Sequence, residues 1–212
     1  MLMDDLLLDS ARTFGNDQNK ENTCNHEIGC PKIGSAGVPY SWYALRVSYS
    51  RELKVQSQLN VRGVRTFVPM MWKKVEVAGQ LQKKLVPAIN NLCFVFWSKA
   101  EIDGFIREYG EKSPVHYYWD RTKGCPMMVP SKEMDDFIKI SSTLDEDIIY
   151  LTEISEKLRE GQFVKVLNGS FAGVEGRVVR IRKSRRIMVE LPGMLAVAST
   201  LIKPGDFEIL AD

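Results

Sequence analysis

Glu160-Gly161-Gln162-Phe163-Val164-Lys165-Val166-Leu167-Asn168-Gly169-Ser170-Phe171-Ala172-Gly173-Val174-Glu175-Gly176-Arg177-Val178 reads as two strands joined by a glycine-bearing turn. Val164 and Val166 alternate with Lys165, the period of a half-buried strand. Asn168-Gly169 is a turn signal because both residue types tolerate positive φ. Gly173 and Gly176 mark sharp bends or close backbone approach at the corner of a small barrel. The run that follows to the C-terminus keeps the same grammar of short strands and turns, so residues 161–212 read as a small β-barrel.

Composition sets the class. A chain that is 26 % charged and 44 % hydrophobic is ordinary for a globular protein. No apolar run approaches the roughly 20 residues needed to span a bilayer. The start, Met1-Leu2-Met3-Asp4-Asp5-Leu6-Leu7-Leu8, places acids where a signal peptide would be basic. The reading is therefore a cytoplasmic protein without a membrane partner. Cys24, Cys30, Cys93 and Cys125 then argue against a disulfide framework. Cys24-x-His26-x-x-x-Cys30 supplies three zinc-type ligands with no CxxC pair and no obvious fourth, so no metal and no cofactor is assigned.

Charge is unevenly spread. Residues 41–130 hold fourteen basic and seven acidic side chains, and residues 161–212 hold eight and five. Between them, residues 131–160 hold four and nine. Two basic modules separated by an acidic stretch suit contact with a nucleic-acid-bearing complex.

The organisation follows. Residues 1–39 read as a flexible arm, with a short helix near 4–12, because the Asn- and Asp-rich stretch cannot bury enough apolar surface to offset ordering. Residues 40–140 read as an α+β domain. Trp42 to Val47 is a strand, Ser50 caps a helix through Asn60, and Ala78-Gly79-Gln80 turns a hairpin. Leu92 to Trp97 is a buried strand, and Ser98-Lys99-Ala100-Glu101 is a capping box before a helix with Ile102, Phe105, Ile106 and Tyr109 on one stripe. Val115 to Trp119 and Met127 to Val129 are strands, and Ser131 caps a last helix. The β-α-β-β-α-β order predicts a ferredoxin-like split-βαβ arrangement. Residues 141–160 read as an acidic linker, giving a monomer of two independently folded modules.

The glycine and valine spacing of residues 161–178 resembles the KOW motif, carried here by Gly161, Val164, Val166, Gly169, Phe171, Gly173 and Gly176. An α+β domain opening on Trp42-Tyr43, then a linker and a KOW motif, resembles the NusG family of transcription elongation and antitermination factors. The resemblance implies an N-terminal NGN-like domain and a C-terminal SH3-like KOW barrel. Leu85-Val86-Pro87-Ala88-Ile89-Asn90-Asn91-Leu92-Cys93-Phe94-Val95, Phe67-Val68-Pro69-Met70, Met128-Val129-Pro130 and Leu144-Asp145 look like the UpxY-type branch, associated with polysaccharide operons. Asn90-Asn91-Leu92-Cys93 stands where the general family carries Pro-Gly-Tyr, which favours a specialised paralogue.

The resemblance implies RNA polymerase as partner, through the clamp helices of its beta-prime subunit and the beta lobe opposite. The matching contact positions are Trp42, Tyr43, Pro69, Ile89, Leu92 and Phe94. Arg46, Tyr49, Arg51 and Glu52 match the region near the lobe and the upstream or non-template DNA. Arg180, Arg182, Lys183, Arg185 and Arg186 form a basic hairpin suited to nascent RNA, the ribosome or an acidic protein. The other reading is an RNA- or ribosome-binding module acting in translation or in transcription-translation coupling. No catalytic constellation is legible: His26 and His116 have no nucleophile in a recognisable arrangement.

Overall fold

The computed structural model describes residues 39–77, 79–155, 158, 161–181, 183–199, 203 and 205–210. The predicted arm, its short helix and Cys24-x-His26-x-x-x-Cys30 lie outside the described residues. All described residues fall in one compact unit.

The first half is built on β1 (Ser41–Val47), α1 (Glu52–Val61), β2 (Arg65–Phe67), β3 (Met70–Val77), β4 (Gln80–Pro87), β5 (Leu92–Trp97), α2 (Lys99–Glu108) and β6 (Val115–Tyr117). Two-residue strands β7 (Trp119–Asp120), β8 (Cys125–Pro126) and β9 (Met128–Val129) precede α3 (Ser131–Ser141). The main sheet runs β2-β5-β1-β6, antiparallel throughout, with β9 also on β1. Strand β5 thus lies between β1 and β2. Alternation along β1 divides its side chains between two layers. Tyr43, Leu45 and Val47 join Val55 and Leu59 of α1 and Ile102 and Phe105 of α2. Trp42 and Ala44 join Met134, Phe137 and Ile140 of α3 on the other face.

Local signals locate most boundaries. The Ser98–Glu101 capping box is present: Glu101 N–H donates to Ser98 Oγ at 3.3 Å. Gly63 at φ +74° and Gly79 at φ +78° supply the left-handed backbone that ends α1 and turns the β3–β4 hairpin. Two expected caps are absent. Helix α1 starts at Glu52 after Arg51, with no side-chain cap, and Ser50 sits at φ +50° in the preceding turn. Ser131 is the first residue of α3, and Pro130 takes the cap position.

The second half holds β10 (Ile149–Leu151), β11 (Phe163–Val166), β12 (Glu175–Ile181), β13 (Ser184–Leu191), β14 (Leu195–Ala198) and β15 (Phe207–Ile209). They form one antiparallel sheet ordered β10-β14-β13-β12-β11-β15. Residues 149–151, expected inside an acidic linker, instead pair with Ala196–Ala198 of β14. Downstream, Leu151, Ile154 and Leu158 cover Val179, Met188 and Ala196 on one face of this sheet. The acidic count of this stretch hid an apolar set that needs a sheet to lie on. The opposite face, with Ile187, Val189, Leu191 and Val197, joins the cluster that contains α3 and Trp42, so one hydrophobic cluster runs between the two sheets.

Candidate functional site

The residues expected on a protein-binding surface are mostly interior. Trp42 is 1 % exposed, Leu92 1 % and Phe94 0 %. They lie on the α3 face of the sheet, where Phe94 meets the Phe137 ring edge-on at 5.8 Å and Trp42 meets Phe96 at 5.4 Å. The Arg65 guanidinium lies 5.0 Å from the Trp42 ring centre. Tyr43 is buried on the other face, against Tyr117 at 5.9 Å, and burial raises its hydroxyl above the ordinary tyrosine value. Pro69 is buried, and its carbonyl accepts from Ala88 N–H at 2.7 Å. Of the six, Ile89 alone is half-buried, at the rim of the same cluster in the turn leading to β5. The expectation of Leu92 as a contact residue is therefore corrected: it is covered within the cluster that α3 and Trp42 form on that face of the sheet.

The turn after β1 is more open. Arg46, Tyr49 and Arg51 are exposed, and the Arg51 guanidinium stacks 5.4 Å from the Tyr49 ring centre. Tyr49 and Ser50 both hold left-handed backbone, at φ +64° and +50°. Glu52 departs from this set. It is 2 % exposed, and its carboxylate accepts a hydrogen bond from Asn91 N–H. A charge spent on a neighbouring backbone turn is unavailable to nucleic acid.

The glycine-rich stretch divides by role. Val164, Val166 and Phe171 are core residues. Gly169 and Gly173 sit at φ +84° and +87° in the turn between β11 and β12. Gly161 and Gly176 have no such φ. There a Cβ would run into the Val178 carbonyl and the Met188 carbonyl respectively, the latter at 2.5 Å. These two permit close strand approach and not a turn.

The basic hairpin is split as well. Arg180 and Arg185 face each other across β12 and β13, both exposed, and Lys183 at φ +67° is exposed in the turn. Arg182 lies outside the described residues. Arg186 is buried at 7 % exposure, and its Nη1 donates to the carbonyls of Asp147 at 2.6 Å and Ser199 at 2.7 Å. The expectation of a solvated Arg186 is corrected: it ties the segment before β10 to the sheet.

Polar contacts also line the seam between α3 and the second sheet. Lys139 Nζ donates to Ala172 O at 2.5 Å, Glu175 N–H donates to Asp136 Oδ2 at 3.2 Å, and Lys132 pairs with Asp136 and Glu175. Sequence reasoning passed over one further feature. The β3–β4 ribbon is a two-stranded sheet of its own with four exposed lysines, Lys73, Lys74, Lys83 and Lys84. Its signal in the sequence is two Lys-Lys pairs flanking a Gly turn.

The model of the family described as transcription termination factor nusG matches residues 40–138. Over that stretch, just under half of the chain, the protein is similar to the NusG family. The matched residues coincide with the main sheet and with α1, α2 and most of α3. A solved structure titled "Domain interaction in Thermotoga maritima NusG" is similar at 17 % identity and TM-score 0.41, over 81 % of this chain and 98 % of that one. No curated protein matches the chain in sequence. Among the described residues no helix is long and apolar enough to cross a membrane.

Proposed function

We propose that this protein is a specialised antitermination factor of the UpxY type, acting on polysaccharide operons by binding RNA polymerase and not by catalysis. The observation that carries the reading is the coincidence of a match to the NusG family model at residues 40–138 with a glycine-patterned sheet module after it. NusG-family proteins bind RNA polymerase in general, and a factor of this kind need only bind the clamp-closed enzyme better than the open one. The C-terminal sheet serves as the KOW module. The contact centres on Ile89, the half-buried member of the expected set, with Pro69 and Leu92 shaping its rim from beneath. Arg46, Tyr49 and Arg51 lie on the DNA side.

The test is binding of the purified chain to purified RNA polymerase. Ile89→Asp would place a charge in a desolvated apolar contact, which costs several kcal/mol. Loss of binding with an unchanged thermal melt is the expected result, and full binding by the folded variant would remove Ile89 from the interface. Transcript sequencing with and without the gene then separates a single-operon specialist from a general factor. A second reading, RNA or ribosome binding through the C-terminal sheet, draws on one observation: Arg180 and Arg185 are exposed directly opposite each other. It predicts that nuclease treatment removes the partner.

A further inference from the structure

The β3–β4 ribbon has a charge arrangement that its own fold does not need. Each strand has eight residues, so the ribbon is about 25 Å long at the usual rise per residue. The register sets Lys73 opposite Lys84 and Lys74 opposite Lys83. Successive residues of a strand point to opposite faces, so one lysine pair lies on each face. Like charges directly opposite each other destabilise a sheet, and an isolated two-stranded ribbon is marginal to begin with. Glu76 is the only acid on the ribbon.

On one face the counter-charge is internal. Glu146, from the acidic stretch before β10, pairs with Lys83 Nζ at 2.5 Å. That hydrogen bond, and then the nearby charges of Lys83 and Lys74, hold its carboxyl below the ordinary carboxylate range. Both partners of this pair are more than half exposed, so it is readily exchanged for another anion. On the other face Lys73 and Lys84 make no ion pair among the described residues.

We propose that the β3–β4 ribbon enters a groove of duplex DNA, setting Lys73 and Lys84 on one phosphate backbone and Lys74 and Lys83 on the other, and that Glu146 stands in for the second backbone until DNA displaces it. The occupant follows from the geometry. A single strand would satisfy one face of the ribbon, whereas a groove presents a row of phosphates to each face. The major groove of B-DNA, about 12 Å wide, admits a two-stranded ribbon. The site lies on elements separate from Arg46, Tyr49 and Arg51, and it does not rest on the polymerase reading.

The experiment uses the full chain without polymerase. Binding to a short random-sequence DNA duplex and to a single-stranded RNA of equal length is followed by fluorescence anisotropy across a salt series. Each phosphate neutralised contributes about 0.9 to the slope of log affinity against log salt. The Lys73→Ser/Lys84→Ser variant should therefore lose about 2 from the duplex slope. Removing opposed like charges should not harm folding, which a thermal melt checks. Glu146→Gln should bind duplex about two- to five-fold tighter, the worth of an exposed ion pair. Duplex binding with the wild-type slope in the double lysine variant overturns the proposal. So does tighter binding of RNA than of duplex, or an unchanged affinity in Glu146→Gln.

Discussion

The buried carboxylate of Glu52, in the first turn of α1, accepts a hydrogen bond from the backbone N–H of Asn91, thirty-nine residues away in the turn before β5. Asn91 holds φ +62°, and its own carbonyl accepts from Val47 N–H at 2.9 Å. One side chain therefore pins the turn beside Ile89 to both the first helix and the end of β1.

Removing that pin should be costly. Glu52→Ala leaves a part-buried N–H without its charged acceptor, so we expect a loss of about 1–2 kcal/mol in chemical denaturation. Asn91→Gly should be neutral or stabilise by up to about 1 kcal/mol, because glycine occupies the left-handed region freely. Wild-type stability in Glu52→Ala would show that the bond contributes nothing net.

Arg186 and its neighbours should separate cleanly. Arg186→Ala strips the buried Ser199 carbonyl and the part-buried Asp147 carbonyl of their shared donor. The expected cost is about 2–4 kcal/mol. Arg180→Ser and Arg185→Ser, at exposed positions, should stay within about 0.5 kcal/mol of wild type. Equal melting temperatures for all three variants would contradict the buried role.

Gly176 and Gly169 should fail for different reasons. Gly176→Ala forces the Met188 carbonyl away from a Cβ and should cost about 1–3 kcal/mol by overpacking. Gly169→Ala meets open space and pays only for φ +84°, about 1–2 kcal/mol. Gly169→Asn should recover much of that loss, since asparagine tolerates the left-handed region, while Gly176→Asn should be worse than alanine. Rescue of both by asparagine would refute the distinction.

Cys93 is fully buried, and burial, with the Glu52 charge adding to it, raises its thiol from the ordinary value near 9 to about 12. The folded thiol stays protonated where the unfolded one ionises. Its contribution to stability is thus intact below about pH 9 and is lost as pH rises toward about 12. Cys93→Ala should flatten the alkaline decline. Peptide mapping after iodoacetamide treatment at pH 8 should find Cys93 unmodified in the native protein and alkylated in denaturant. Native alkylation at the wild-type folded state would disprove the burial.

How much of this was legible in the chain depends on the range of the interaction. The Ser98–Glu101 capping box, the Gly79 turn and the alternation of Val164 with Val166 are set by neighbours within a few residues, and each lies where the sequence implies. The β5 run from Leu92 was readable as buried for the same reason, since its apolar period needs no partner to be recognised. Whether one residue of such a run faces a partner protein was not, because that depends on what α3 places over it.

Sequence alone determined most of the secondary elements, the turn glycines and the resemblance to the NusG family. Tertiary structure alone decided the fate of the charged residues. Glu52 and Arg186 look like surface charge in a linear reading, and they are buried because backbone groups from distant segments, Asn91 in one case and Asp147 and Ser199 in the other, meet their hydrogen-bonding needs. The stretch Ile149–Leu151 reads as linker among acids, and it becomes a strand because β14 offers an unpaired edge. The lysine pairs of the β3–β4 ribbon acquire opposite faces only through the cross-strand register. A local pattern records the period of a chain segment, whereas the free energy of a buried or paired charge is set by the groups that the rest of the chain brings to it.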